Sequence, residues 1–229
     1  MTQFFLNSNK SSGETSWSRG EISDLTLKAA RGAGMTWGLA EEASEAVIWL
    51  QARGFPGLAA FCCYISWYRF QKLEHTGMPG ISEKGSPRCP FATGAAISDG
   101  VIKLPIDNTK MSLGLIRQPI LLLPFISRVR PHGIGLYAGD FLMTSYLPGD
   151  ITIKRIFFSP SLINEAECYV QNLPLALKAE KIDESQFLRL PECYKACIDV
   201  LTKSAQRIYV PSTDYSREMG AGSTIPDDD

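Results

Sequence analysis

The sequence predicts an α+β protein: an N-terminal helical layer, an antiparallel β-meander, and a C-terminal helix followed by an extended tail. Apolar residues recur at helical spacing in the first third of the chain, alternate with a period of two in the middle, and return as one amphipathic stripe after Pro191. Composition places the boundaries. Residues 1–17 read as an irregular N-terminus, 18–74 as helical, and 75–100 as a Gly/Pro-rich loop. Residues 101–211 read as antiparallel sheet plus C-terminal helices, and 212–229 as extended tail, together forming one compact domain.

The elements follow in order. Ser18-Arg19-Gly20-Glu21 has capping-box spacing and opens a first helix through Ile22, Leu25, Ala29 and Ala30, which stops at Gly32 or Gly34. Thr36 is placed to cap a second helix, whose Leu39, Ala43, Val47 and Leu50 share a face with Ile48 on the other side; Gly54 ends it. Pro56 suits the start of a third helix, Leu58 to Leu73, which is apolar nearly all round and too short for a membrane span, hence a buried core helix. Met111, Leu113 and Leu115 alternate with Ser112 and Gly114 as in a half-buried strand. Pro119 to Ile126 is an apolar run that its two prolines keep from being a central strand. Gly139-Asp140 reads as a hairpin turn between Ile134–Ala138 and Phe141–Tyr146, and a turn at Leu147–Asp150 leads to a strand bulged near Lys154-Arg155. Ser161 to Leu173 is read as helix, and Tyr194, Cys197, Ile198, Leu201, Ala205 and Ile208 make the stripe of the last one.

Composition narrows the function. A net charge of −1 over 229 residues removes the electrostatic basis for nucleic-acid binding and argues against an anionic membrane surface. Without a secretory pattern at Met1–Leu6, the six scattered cysteines are expected to be reduced and the compartment cytoplasmic. His75 and His132 both fall in Gly/Pro-rich stretches, and no nucleotide, zinc or nucleophile-elbow motif occurs, so no cofactor and no metal are expected. Cys193 and Cys197, one turn apart, read as core residues, as do Cys62 and Cys63.

The candidate site is built from two similar segments, Arg31-Gly32-Ala33-Gly34 with Trp37, and Arg217 with Gly220-Ala221-Gly222. An arginine beside glycines can hold a carboxylate bidentately where backbone comes close. The competing reading of Arg31 is a cation at a helix C-terminus, and that of Arg217 a solvated tail residue. Trp37 has a core reading and a stacking reading. Glu41 and Glu42 are weak candidates for general-base catalysis.

With these residues quoted, the chain resembles an uncharacterised bacterial family, domain of unknown function 3726. The resemblance rests on Ala29–Gly34 with Trp37–Ala43, on Tyr209–Ser212 with Ser216-Arg217 and Gly220–Gly222, and on Gln118–Phe125. Ser223-Thr224-Ile225-Pro226 departs from the family's tail. The resemblance implies landmarks and no chemistry. The expected function is small-molecule binding, with an anionic metabolite or small carboxylate as ligand, or an accessory role in bacterial metabolism. The alternatives are a metal-free, nucleotide-free enzyme using carboxylate acid/base chemistry, and an interaction protein or homo-oligomer acting through its tail.

Overall fold

A computed structural model describes residues 15–71, 87–129, 134–139, 141–145, 164–172, 187–190 and 194–209. The chain runs β1 (Thr15–Ser18), α1 (Arg19–Gly32), α2 (Trp37–Gln51), α3 (Gly57–Gln71), α4 (Pro90–Ser98) and β2 (Lys110–Arg117). A 3-10 turn (Pro119–Leu122), α5 (Leu123–Val129), the β3–β4 hairpin (Ile134–Ala138, Phe141–Ser145), β5 (Glu165–Asn172), β6 (Phe187–Leu190), α6 (Lys195–Ala205) and a final 3-10 turn (Gln206–Ile208) complete it. This is the α+β arrangement expected, with helices first, an antiparallel sheet, and a closing helix.

The entry to α1 is the capping box that its spacing predicts. The Glu21 backbone N–H donates to Ser18 Oγ at 3.1 Å, and the Ser18 N–H donates to the Glu21 carboxylate at 2.7 Å. Those hydrogen bonds from Ser18 hold Glu21 below the usual carboxylate pKa. Their contribution is therefore complete above the unfolded pKa and is lost as pH falls through the lowered folded value. Ser18→Ala is expected to cost about 1 kcal/mol, seen as a fall of about 3 °C in Tm by calorimetry.

Helices α1, α2 and α3 pack in sequence, and α6 returns to cover α1 and α3. Two serines stitch α1 to α2, with Ser44 Oγ donating to the Ser23 carbonyl at 3.0 Å. In α3, Leu58, Phe61, Tyr64 and Ile65 are almost fully buried, as its all-round apolar character requires. Gly57 lets α3 start against α2, where an added Cβ would stand 2.8 Å from the Val47 carbonyl oxygen.

The four-stranded sheet has the order β2-β5-β3-β4, every neighbouring pair antiparallel. This corrects the simple meander: β5 inserts between β2 and β3, and only β3–β4 is a sequential hairpin, turned at Gly139 with φ +59°. The segment read as a helix over 161–173 is, over Glu165–Asn172, this central strand. Buried Cys168 and Val170 alternate with exposed Glu165 and Glu167, the period of two of a strand with one buried face. In β2 the register shifts between Ser112 and Gly114, which has φ +79°. The extra residue moves the buried phase from Leu113 to Ile116. The bulge expected near Lys154-Arg155 lies outside the described residues.

Two further expectations are corrected and a third is borne out. Thr15–Ser18 is not irregular; it pairs antiparallel with β6, Thr15 opposite Leu190. The Gly/Pro-rich stretch 75–100 contains α4, which starts with Pro90 in its first turn and Cys89 as its cap. The expectation that its two prolines keep 119–126 from being a central strand holds. Pro119 opens a 3-10 turn that leads into α5, and Pro119 to Ile126 is buried throughout. Helical and sheet side chains, among them Leu50, Phe61, Phe91, Ile116, Leu136 and Val170, form one continuous core cluster.

Candidate functional site

The turn between α1 and α2 ends the first helix in a Schellman arrangement. Met35 N–H donates to the Ala30 carbonyl at 3.0 Å and Gly34 N–H to the Arg31 carbonyl at 2.8 Å, with Gly34 left-handed at φ +90°. Met35 and Ala30, the apolar pair that accompanies this motif, are both fully buried. Gly34 is therefore required by the turn itself. Gly32 has a different reason. A Cβ there would lie 1.8 Å from the Ser204 carbonyl oxygen, because the end of α6 presses on α1, where Ser204 Oγ also donates to the Ala29 carbonyl at 2.9 Å.

Arg31 reaches over this turn. Its Nη1 donates to the Met35 carbonyl, and its guanidinium stands 4.6 Å from the centroid of the Trp37 ring. Trp37, the first residue of α2, is 59% exposed, so it is not a core residue. Tyr209, the last described residue of the chain, faces Lys28 one helical turn before Arg31, and Lys28 pairs with Asp24 at 2.7 Å. Arg31, Gly32, Gly34 and Trp37 are thus brought together. Arg217, Gly220 and Gly222 lie outside the described residues, as do His75, His132 and Cys193.

The two glutamates are separated by environment. Glu41 is exposed. Glu42 accepts from Arg128 Nη1 at 3.2 Å while Glu45 accepts from Nη2 at 3.0 Å, so one guanidinium on α5 clamps two carboxylates of α2.

Two clusters were not legible as sites. In the first, the fully buried Tyr64 donates its hydroxyl to Cys89 Sγ at 2.9 Å, and the Ala92 N–H donates to the same sulfur at 3.3 Å. Burial pushes the Tyr64 phenol well up and the Cys89 thiol up despite these donors, so both stay protonated at neutral pH. In the second, Arg117 pairs with Glu165 at 3.1 Å and lies 5.6 Å from the Trp67 ring centroid. Next to it Gln118, fully buried, takes a left-handed φ of +50° where β2 ends, and its Oε1 has no hydrogen-bond partner among the described residues. Among the described residues, no group of three or more His, Cys, Asp or Glu is arranged to hold a metal, and no helix is long and apolar enough to cross a membrane.

The α1–α2 turn lies in the part of the chain with recognisable relatives. Residues 17–86 match DUF3726, a protein family of unknown function. The matched stretch contains all of α1, α2 and α3, and with them Arg31, Gly32, Gly34, Trp37, Glu41 and Glu42. No curated protein and no solved structure matches the chain.

Proposed function

We propose that the protein binds a small carboxylate-bearing molecule at the α1–α2 turn, as a binding or accessory protein. The observation that carries this reading is the exposed Trp37 ring beneath a guanidinium whose direction is set by the Met35 carbonyl. One N–H of the fork goes to that carbonyl, and the planar group retains further donors for a bidentate carboxylate, while the indole offers an apolar wall. Helix-end electrostatics account for a cation at position 31, but not for an indole left in water beside it. Glu42 has no part in this reading, since its carboxylate is taken up by Arg128.

The test is a thermal-shift and calorimetric screen of the full chain against small mono- and dicarboxylates. A binder at one hundred times its Kd raises stability by about 2.7 kcal/mol. Arg31→Lys keeps the charge and loses the fork, and is expected to weaken that binder about tenfold or more, with Trp37→Ala weakening it further. Absence of a shift with any carboxylate, or a shift that Arg31→Lys leaves intact, refutes the site.

A second reading has one observation in its favour. Ile208 and Tyr209, at the point where the chain leaves α6, are 40% and 62% exposed. They offer an apolar start for a tail that acts in self-association or partner binding. Deleting residues 212–229 separates the two readings: a changed oligomeric state by light scattering supports the second, and lost carboxylate response with unchanged mass supports a tail contribution to the first.

A further inference from the structure

The four-stranded sheet turns Ile134, Leu136, Cys168 and Val170 toward the core, so the residues between them line its opposite face. There Tyr169 of β5 and Tyr137 of β3 stand directly across from each other, and Ser112 of β2 is the partner of Tyr169 on the other side. Both tyrosines are half-buried, while Lys110, Ser112 and Glu167 around them are exposed. Lys110 opens β2 opposite Gln171, one diagonal step from Tyr169. Its Nζ stands over both rings, 4.3 Å from the Tyr169 centroid and 5.2 Å from that of Tyr137. Glu167, two residues before Tyr169 and therefore on the same face, forms no ion pair among the described residues.

We propose that this face of the sheet binds a small methylated ammonium compound, with Tyr137 and Tyr169 as two walls of the site and Glu167 as its counter-charge. The ammonium of Lys110 marks the position, a point within cation–π reach of two rings at once and on the negative face of each. Lys110 is itself a weak occupant. A lysine ammonium is compact and strongly hydrated, and an exposed one gives up little of that water. Methyl groups on nitrogen replace N–H donors by apolar surface while the charge remains, so less hydration is lost and each ring meets a methyl as well as a cation. The four-carbon stem of Lys110 is flexible, so the side chain can swing out and open the site without moving a strand.

Lys110 thereby acts as a tethered competitor. A ligand has to displace it, and the apparent affinity follows the fraction of molecules in which the two rings are vacant. Selectivity comes from the same geometry. An anion would meet Glu167 and two ring faces of negative potential, so a carboxylate has no place here. This site and the α1–α2 turn are chemically separate.

The experiment titrates tetramethylammonium chloride into the full chain with isotope-labelled tyrosine rings and follows the ring signals by NMR, with sodium chloride at equal ionic strength as the blank. Tyr137→Phe and Tyr169→Phe, which keep the rings, assign the two signals. Saturable shifts of both rings are expected in the wild-type chain. Lys110→Ala should tighten the apparent Kd by about threefold, the factor that an exposed cation–π contact confers. Tert-butanol, of similar shape and without charge, should leave both rings unmoved. Absence of a saturable shift in Lys110→Ala overturns the proposal, as does a Kd that this variant leaves unchanged or weakens. Equal shifts with tert-butanol overturn it too, because they reduce the site to an apolar patch. Lys110 is exposed, so its substitution tests the site and not the fold. The probe carries no carboxylate, and its outcome is therefore independent of binding at the α1–α2 turn.

Discussion

Replacing Gly32 with alanine is expected to lower the melting temperature by about 10 °C or more, at about 2–4 °C per kcal/mol for a chain of this size. A single methyl group normally favours a helix by about 1 kcal/mol when it replaces glycine. Here that gain is overwhelmed. The new Cβ would sit 1.8 Å from the Ser204 carbonyl oxygen and 2.7 Å from its carbonyl carbon, and both atoms belong to the backbone. A side chain could rotate aside, but a helix end cannot, so α6 must shift bodily and surrender its buried contacts at Leu201 and Ala205. Overpacking of this kind costs about 3 kcal/mol or more. Calorimetry of Gly32→Ala beside a Gly38→Ala control, where a Cβ meets nothing, isolates the effect. Equal melting temperatures for the two variants would mean that α6 does not lie on α1 as described.

The second large effect is expected at Gly94, in the middle of α4. An added Cβ would approach the Phe125 ring to 2.4 Å at Cγ and Cδ2. Phe125 is fully buried and packs edge-on against Phe91, with centroids 6.4 Å apart, so its ring cannot yield. Gly94→Ala should therefore destabilise by about 2 kcal/mol after the helix-propensity gain is subtracted. The cause can be checked by a double-mutant cycle with Phe125→Leu. That variant alone leaves a partial cavity, and combined with Gly94→Ala the methyl occupies the freed space, giving a coupling energy of about 1–2 kcal/mol of opposite sign to the single losses. Strict additivity in chemical denaturation would show that the two residues do not touch.

Where an element is decided by its own residues, the sequence is legible. The capping box at Ser18–Glu21, the left-handed Gly34, the hairpin glycine at 139 and the stripe of Cys197, Leu201 and Ala205 all depend on neighbours within a few positions. The misreadings share one cause. Glu165–Asn172 is a strand because β2 and β3 lie on either side of it, and neither partner is adjacent in sequence. Residues 15–18 are a strand because Phe187–Leu190 reaches them. That Pro119–Ile126 is no central strand is legible from its prolines; that it forms a 3-10 turn and a helix is not, because periodicity within an all-apolar run cannot signal it. The candidate site divides in the same way. Helix–turn–helix spacing places Arg31 and Trp37 together, and the structure sets one over the other. Gly32 reads from sequence as a ligand-approach glycine, whereas its near neighbour is Ser204, a residue no local pattern could name. Tyr64 and Cys89 have the same character: a hydroxyl in a core helix and a thiol ahead of a proline become a hydrogen-bonded pair only in three dimensions.

The contact of Ser204 with Ala29 joins residues 175 positions apart in sequence, and β1 with β6 closes a span of similar length. A chain made from its N-terminus at about 5–20 residues per second leaves the inner face of α1 without its cover for roughly 10–35 s. During that interval Ala29, Ala30 and Gly32 present a small-residue helical surface to the cell, and β1 has an unpaired edge. Native structure at the first helix therefore has to wait for the last one. A ribosome stalled anywhere before α6 would release a protein whose N-terminal layer is open on the side from which it is finally closed.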